Sequence, residues 1–179
     1  IERMVQVMER DALEIATELT WQMGRPVRYT PNEILRGFQE RARYMSSIAA
    51  SNLSDIATPQ VDGFTKWIRR EPLGTVLVVA PWNYPYLTAV NSIVPALLAG
   101  NTVVLKASEL CPAVHRLIVD AFVEAGLPPG VVNFVTHSAA DAPAVVEALI
   151  AHPAVKRVNF TGSSRVGRIV GELSGRHLK

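Results

Sequence analysis

Apolar residues recur at helical spacing through the first fifty positions. Met4, Val7, Met8, Ala12, Ile15 and Leu19 mark one face over residues 2–20, and Ile34, Leu35, Phe38, Ala42 and Met45 mark another over 31–50. The breaker "GRPVRYTP" separates them, so the pattern predicts two helices joined by a turn. From Leu53 to Arg70 the pattern becomes short and mixed, with Asp62-Gly63 as a hairpin signal between brief strand-like runs. A β-arm is expected there, an element of the kind that pairs with another subunit. From Glu71 onward strand and helix patterns alternate. "TVLVVA" (75–80) leads to an apolar helix over about 86–99, and "TVVLKA" (102–107) leads to a helix over 113–126. "VVNFVT" (131–136) leads to one over 141–152, and "VKRVNFTG" (155–162) to one over 163–175.

Val-rich strands bounded by Gly or Pro and alternating with helices predict an α/β fold with a Rossmann-like parallel sheet covered on both faces, preceded by N-terminal helices and the β-arm. The expected divisions are residues 1–52 for the helices, 53–70 for the arm and 71–179 for the domain of the parallel sheet. Right-handed crossovers put all four strand C-termini on one edge, where such sheets bind ligands.

Composition narrows the partner. With 179 residues and 49% hydrophobic content the chain is expected to build one sizeable core, or a core with a small appendage, and not two full domains. Eighteen basic against sixteen acidic residues leave a net charge of +2 without a run of like charge, so neither nucleic acid nor a membrane surface is expected. A small molecule is the default partner. The single cysteine, Cys111, excludes an internal disulfide framework, and His115, His137, His152 and His177 are too scattered to resemble a metal-ligand set. No apolar run reaches the roughly eighteen residues of a membrane span, and the amphipathic start "IERMVQVMER" is unlike a signal, so a cytoplasmic location is expected. The chain opens on Ile1 and stops at "SGRHLK" without an obvious helix end, and is read as the front part of a longer protein.

Polar chemistry concentrates at the carboxyl edge, in "PWN", "KASE", "THSAAD" and "TGSSRVG". The first turn lacks G-x-G-x-x-G, so a phosphate has to sit elsewhere. Gly162 to Gly167 offers a strand end, small residues and a helix start with free N–H groups; a Ser163 N-cap with Gly167 serving helix packing accounts for the same residues. Lys106 and Glu109 follow the second strand, where an acidic residue bonds a ribose diol in dinucleotide folds. The same stretch is equally a strand end before a helix capped by Ser108. Asn83, between Trp82 and the turn at Pro85, can donate an amide N–H to a carbonyl oxygen that turns negative in acyl chemistry; a turn or cap asparagine is the alternative. Cys111 begins a helix whose dipole could lower its pKa, but it has no adjacent base and is read as a small buried residue.

"EPLGTVLVVAPWNYP", "LLAGNTVVLKASE", "AGLPPGVVNFV" and "VNFTGSSRVGRIV" stand in the order and approximate spacing of the aldehyde dehydrogenase superfamily, which the chain resembles, most strongly over 71–179. The resemblance implies that Asn83 is the oxyanion-hole amide and that Ala80, Pro81 and Trp82 line the cofactor cleft. It assigns Lys106 and Glu109, with Ser108 beside them, to the adenosine ribose, Gly162 and Ser163 to the pyrophosphate, and Val166 to the adenine face. It implies oxidation of an aldehyde to its acid with NAD through a cysteine thiohemiacetal, and a homodimer or homotetramer. Glu109 should repel a 2′-phosphate and favour NAD, while Lys106 and Ser108 keep NADP open. The nucleophilic cysteine and the general-base glutamate of the family are not found in residues 1–179. "KASELCPAVHRLI" and "FTGSSRVGRIV" look most like the branch of the salicylaldehyde and vanillin dehydrogenases, tilting the substrate toward aromatic aldehydes. Arg165 stands where an acidic residue is frequent. The competing expectation is a non-catalytic nucleotide-binding or oligomerisation module.

Overall fold

A computed structural model describes residues 1–179 throughout. The first predicted helix is two helices. α1 (Glu2–Arg10) and α2 (Ala12–Met23) are separated at Asp11, whose ψ of 13° interrupts the regular turn. The bend lets Met4, Val5 and Met8 on one side and Ala12, Ile15 and Leu19 on the other reach the same core. Gly24, in the left-handed region at φ +69°, ends α2 where a side chain would be strained. The second predicted helix opens with a π-helical stretch, Glu33–Phe38, before α3 (Gln39–Leu53). That wider turn carries Glu33, Ile34 and Phe38 inward together.

The predicted arm is a minimal antiparallel hairpin. β1 (Ile56–Ala57) pairs with β2 (Trp67–Ile68), and a further bridge joins Val61 and Phe64 around Asp62-Gly63, with Gly63 at φ +79°. Ile56, Val61, Phe64, Trp67 and Ile68 are all exposed on it.

The βα units follow as β3 (Thr75–Val79), α4 (Pro85–Leu98), β4 (Thr102–Lys106), α5 (Pro112–Glu124), β5 (Val132–Val135), α6 (Ala142–Ala151), β6 (Val155–Phe160) and α7 (Ser164–Arg176). The four strands form one parallel sheet in the order β5-β4-β3-β6. The chain thus winds outward from β3 through β4 to β5, then returns to pair β6 on the other side of β3. Alternation along β3 divides the sheet's two faces. Val76 and Val78 join the larger apolar cluster with α1 to α5, whereas Leu77 and Val79 join Ile150 of α6, Val155 of β6 and Val170 of α7. The N-terminal helices therefore share a continuous core with the helices of the first two βα units. Arg43 of α3 strengthens that join, reaching Glu2 and Glu9 of α1 at 2.8 Å each.

The turn into β4 is pinned by one side chain. Asn101 is buried; its Oδ1 accepts from the N–H groups of Leu73 (2.7 Å) and Gly74 (3.0 Å), and its Nδ2 donates to the Ala96 carbonyl (3.1 Å). One amide thus ties the approach to β3 to the end of α4. Asn101→Ala strips three hydrogen bonds and is expected to lower stability by about 1–3 kcal/mol. Urea unfolding followed by circular dichroism checks this, with the midpoint falling and the slope unchanged.

Candidate functional site

The parallel ladder aligns the strand ends. Val79 pairs with Lys106 and with Phe160, and Lys106 pairs with Val135. The ladder runs one residue further, with Ala80 N–H to the Lys106 carbonyl (3.2 Å), Ala107 N–H to Val135 (3.1 Å) and Thr161 N–H to Val79 (3.2 Å). The loops after β3, β4 and β6 consequently leave the sheet at one level, and they enclose a cavity of about 890 Å³ together with α6 and α7. All ten residues singled out from the sequence line it: Ala80, Pro81, Trp82, Asn83, Lys106, Ser108, Glu109, Gly162, Ser163 and Val166. The cavity opens where the winding direction reverses between β3 and β6, the crevice that open α/β sheets use for ligands.

Each wall has its own local cause. The β3 exit is "PWNYP", in which Tyr84 takes a left-handed conformation at φ +48° and occupies the N-terminal boundary of α4. Asn83 therefore does not cap that helix. Its residue is exposed at the cavity, and its amide makes no hydrogen bond within the chain. The β6 exit brings Gly162 against the Phe160 ring, where a Cβ would lie 2.6 Å from Cζ; Gly167 approaches the same ring. Only glycine lets this turn close so tightly over an aromatic floor. Ser163 is the N-cap of α7, its Oγ accepting from Val166 N–H (3.3 Å) and its carbonyl accepting from Gly167 N–H (2.8 Å). The first two N–H groups of α7, those of Ser164 and Arg165, remain without a backbone partner. The Ser163 cap and the two open N–H groups thus belong to one helix start.

The β4 exit corrects one expectation. Ser108 does not cap α5; its Oγ accepts from Leu110 N–H at 3.3 Å in a local turn, and Cys111 holds the cap position without a side-chain bond. The intervening turn at Glu109 and Leu110 puts the cap position three residues beyond Ser108, at Cys111. Lys106 is buried, with 6% exposure, and pairs with no carboxylate. Burial lowers its pKa, against the opposing attraction of Glu109. An ammonium so placed gains most from an oxygen-rich ligand.

Cys111 is fully buried, its Sγ 3.7 Å from the Trp82 carbonyl and 3.9 Å from His115 Nδ1. Burial, with Glu33 and Glu109 adding to it, pushes the thiol up to about 11. Cys111 is thus the small buried residue read from the sequence, and loss of hydration leaves the dipole-activated alternative without support. His115, also fully buried, is pulled down to about 4 by desolvation and so stays neutral. No group of His, Cys, Asp and Glu is placed to hold a metal ion.

Several lining residues were not read from the sequence. Phe160, Thr88 and the α6 residues Pro143, Val146 and Glu147 contribute, as do Ile169 and Arg176 of α7. Phe160 is the last residue of its strand and carried a positional signal. The α6 residues carried none, because only the return crossover puts them beside β6.

A parallel sheet with a glycine-lined helix start and a cavity at its switch point defines the class of Rossmann-like nucleotide-binding folds. Within that class the assignment is specific: the sequence profile of the aldehyde dehydrogenase family matches residues 1–179, and the chain belongs to this family. It is 53% identical to the vanillin dehydrogenase of Pseudomonas fluorescens over 137 residues, 76% of this chain and 28% of that one. It is 36% identical to the salicylaldehyde dehydrogenase of Pseudomonas putida over 177 residues, 99% of this chain and 34% of that one. Among solved structures, the salicylaldehyde dehydrogenase of Pseudomonas putida G7 complexed with salicylaldehyde superposes with a TM-score of 0.93 at 32% identity, covering 99% of this chain and 36% of that one. The succinic semialdehyde dehydrogenase of Streptococcus pyogenes in complex with NADP+ gives 0.89 at 26% identity, covering 99% and 38%. The NAD-dependent aldehyde dehydrogenase of Sinorhizobium meliloti gives 0.91 at 31%, covering 99% and 34%. The chain thus spans about a quarter to two-fifths of the length of these relatives. No helix is long and apolar enough to cross a membrane.

A thiol near 11 is ionised to about one part in a thousand at pH 8. Ellman's reagent at pH 8 is expected to leave the native chain unlabelled for an hour and to titrate one thiol after guanidinium unfolding. Rapid labelling of the native chain would show that Cys111 is a reactive cysteine after all.

Proposed function

We propose that residues 1–179 form the dinucleotide-binding part of an enzyme that oxidises an aldehyde, of the aromatic class, to its carboxylic acid, with NAD as the favoured cofactor. The observation that carries this reading is the convergence of three strand exits on one cavity holding a buried, unpaired Lys106 ammonium and free N–H groups at the α7 start. The residues present fit a dinucleotide. The Ser164 and Arg165 N–H groups, beside Gly162 and Ser163, suit a pyrophosphate. Lys106, Ser108 and Glu109 suit a ribose, and Val166 offers an apolar contact for a base. Ala80, Pro81 and Trp82 form the wall leading toward Asn83. The bound dinucleotide supplies the hydride acceptor for the oxidation.

Asn83 is the donor for the substrate oxygen. When a nucleophile adds to an aldehyde carbonyl, that oxygen turns negative, and an amide with no internal partner is free to bond it without first breaking another contact. Cys111 cannot be the nucleophile, being buried and held protonated. The family resemblance assigns the thiolate and the general base to segments not found in residues 1–179. The identity to vanillin and salicylaldehyde dehydrogenases supports the aromatic substrate class. The exposed apolar hairpin supports pairing with a second subunit in a homodimer or homotetramer.

Titration of the chain with NAD+ and NADP+ by tryptophan fluorescence tests the cofactor reading, since Trp82 lines the cavity. NAD+ is expected to quench Trp82 emission and to bind more tightly than NADP+, the quench vanishing in Trp82→Phe. Glu109→Gln is expected to narrow the NAD preference by about tenfold, the size of one lost charge repulsion near a surface. Unaltered selectivity would count against Glu109 at the ribose. In an active enzyme carrying these residues, Asn83→Ala is expected to lower kcat by about 10²–10³; steady-state kinetics at the wild-type rate would remove Asn83 from the chemistry.

A further inference from the structure

Helix α4, which follows Asn83, has no cap from its own sequence. A remote carboxylate supplies it. Glu33, at the head of the π-helical stretch, accepts on Oε1 from the N–H groups of Tyr86 (2.9 Å) and Leu87 (3.1 Å), and its other oxygen holds the Arg25 guanidinium. Arg25 in turn lies over the Tyr84 ring, 4.7 Å from its centroid. Glu33 is 5% exposed, and a carboxylate is kept at such depth only by strong partners, here a helix N-terminus and a guanidinium. Gly37 packs against Leu87 at this approach, where a Cβ would lie 2.8 Å from Leu87 Cδ1.

Between Trp82 and Tyr84 stands Asn83. The Cys111 thiol reaches the Trp82 carbonyl on one side, and Arg25 covers Tyr84 on the other. A bulky residue in the left-handed region persists only where its surroundings hold it. We propose that Glu33 and Arg25 are positioning residues for Asn83: the carboxylate anchors the start of α4, the guanidinium clamps Tyr84, and together they aim the amide into the cavity. The purpose of this clamp rests on the aldehyde-oxidation reading. Its geometry does not.

Nuclear magnetic relaxation of the 179-residue chain tests it. Backbone order parameters at Asn83 and Tyr84 are expected near 0.85 in the wild type and below about 0.6 in Glu33→Ala. Amide exchange at Tyr86 and Leu87 should rise about tenfold or more while that of β3 and β4 holds. Glu33→Gln keeps an acceptor for both N–H groups and should restore order at the turn. Arg25→Leu should loosen Tyr84 while leaving Tyr86 and Leu87 protected. The proposal is overturned if Asn83 and Tyr84 stay rigid in Glu33→Ala, or if loosening spreads evenly over the sheet and Gln does not rescue it. Should Glu33→Ala fail to fold, Arg25→Leu decides alone, unchanged order at Tyr84 overturning the clamp. NAD+ titration of the same samples separates the two readings: no binding by the wild type sinks the cofactor reading, while the relaxation result still stands or falls on its own.

Discussion

Everything at the site depends on the parallel register of β3 with its two neighbours. Val79 faces both Lys106 and Phe160, so three strands end at one height and their loops meet without any loop having to reach for the others. A single-residue slip in one ladder would turn Lys106 from the cavity toward the opposite face and carry Leu105 in its place. The register is enforced from within, since Leu77 and Val79 must reach the α6 and α7 side while Val76 and Val78 reach the other. Apolar burial on two faces thereby fixes the placement of polar groups at an edge.

The edge gathers groups that make no polar contact within the chain. Lys106 is buried without a counter-ion, the first N–H groups of α7 are open, and Asn83 makes no internal bond. Each leaves a polar group with no partner inside the chain, and those of Asn83 and the α7 start are exposed. Grouped around one cavity, they form a set of donors matched to the phosphate, hydroxyl and carbonyl oxygens of the proposed dinucleotide and aldehyde. The apolar complement comes from Phe160, Val166 and Pro81, so the cleft joins a donor-rich floor to greasy walls, as small-molecule sites commonly do.

The N-terminal helices are tied to this site by more than shared core. Their connection from Arg25 to Glu33 reaches across to the turn after β3, so a segment distant in sequence governs the conformation of the residue proposed to stabilise the oxyanion. Glu33 heads the π-helical stretch at Glu33–Phe38, which turns inward with Ile34 and Phe38.

The Asp62-Gly63 turn signal marked the hairpin; hydrophobic periodicity by itself determined the four βα units and the parallel sheet, because each strand's Val-rich run and each helix's apolar stripe is a local pattern read by the same burial. It also determined that Asn83, Lys106, Glu109 and Gly162 lie at strand ends, and the ordered motifs marked the family. Cys111 was already legible as a small buried residue, whereas tertiary structure alone decided that Ser108 makes a turn instead of a cap, since the start of α5 is set by packing and not by local spacing. It alone seated α6 against the cavity through the return crossover. It alone made Glu33 the cap of a helix fifty-three residues away, because no spacing rule links a carboxylate to helix N–H groups that only folding brings within reach.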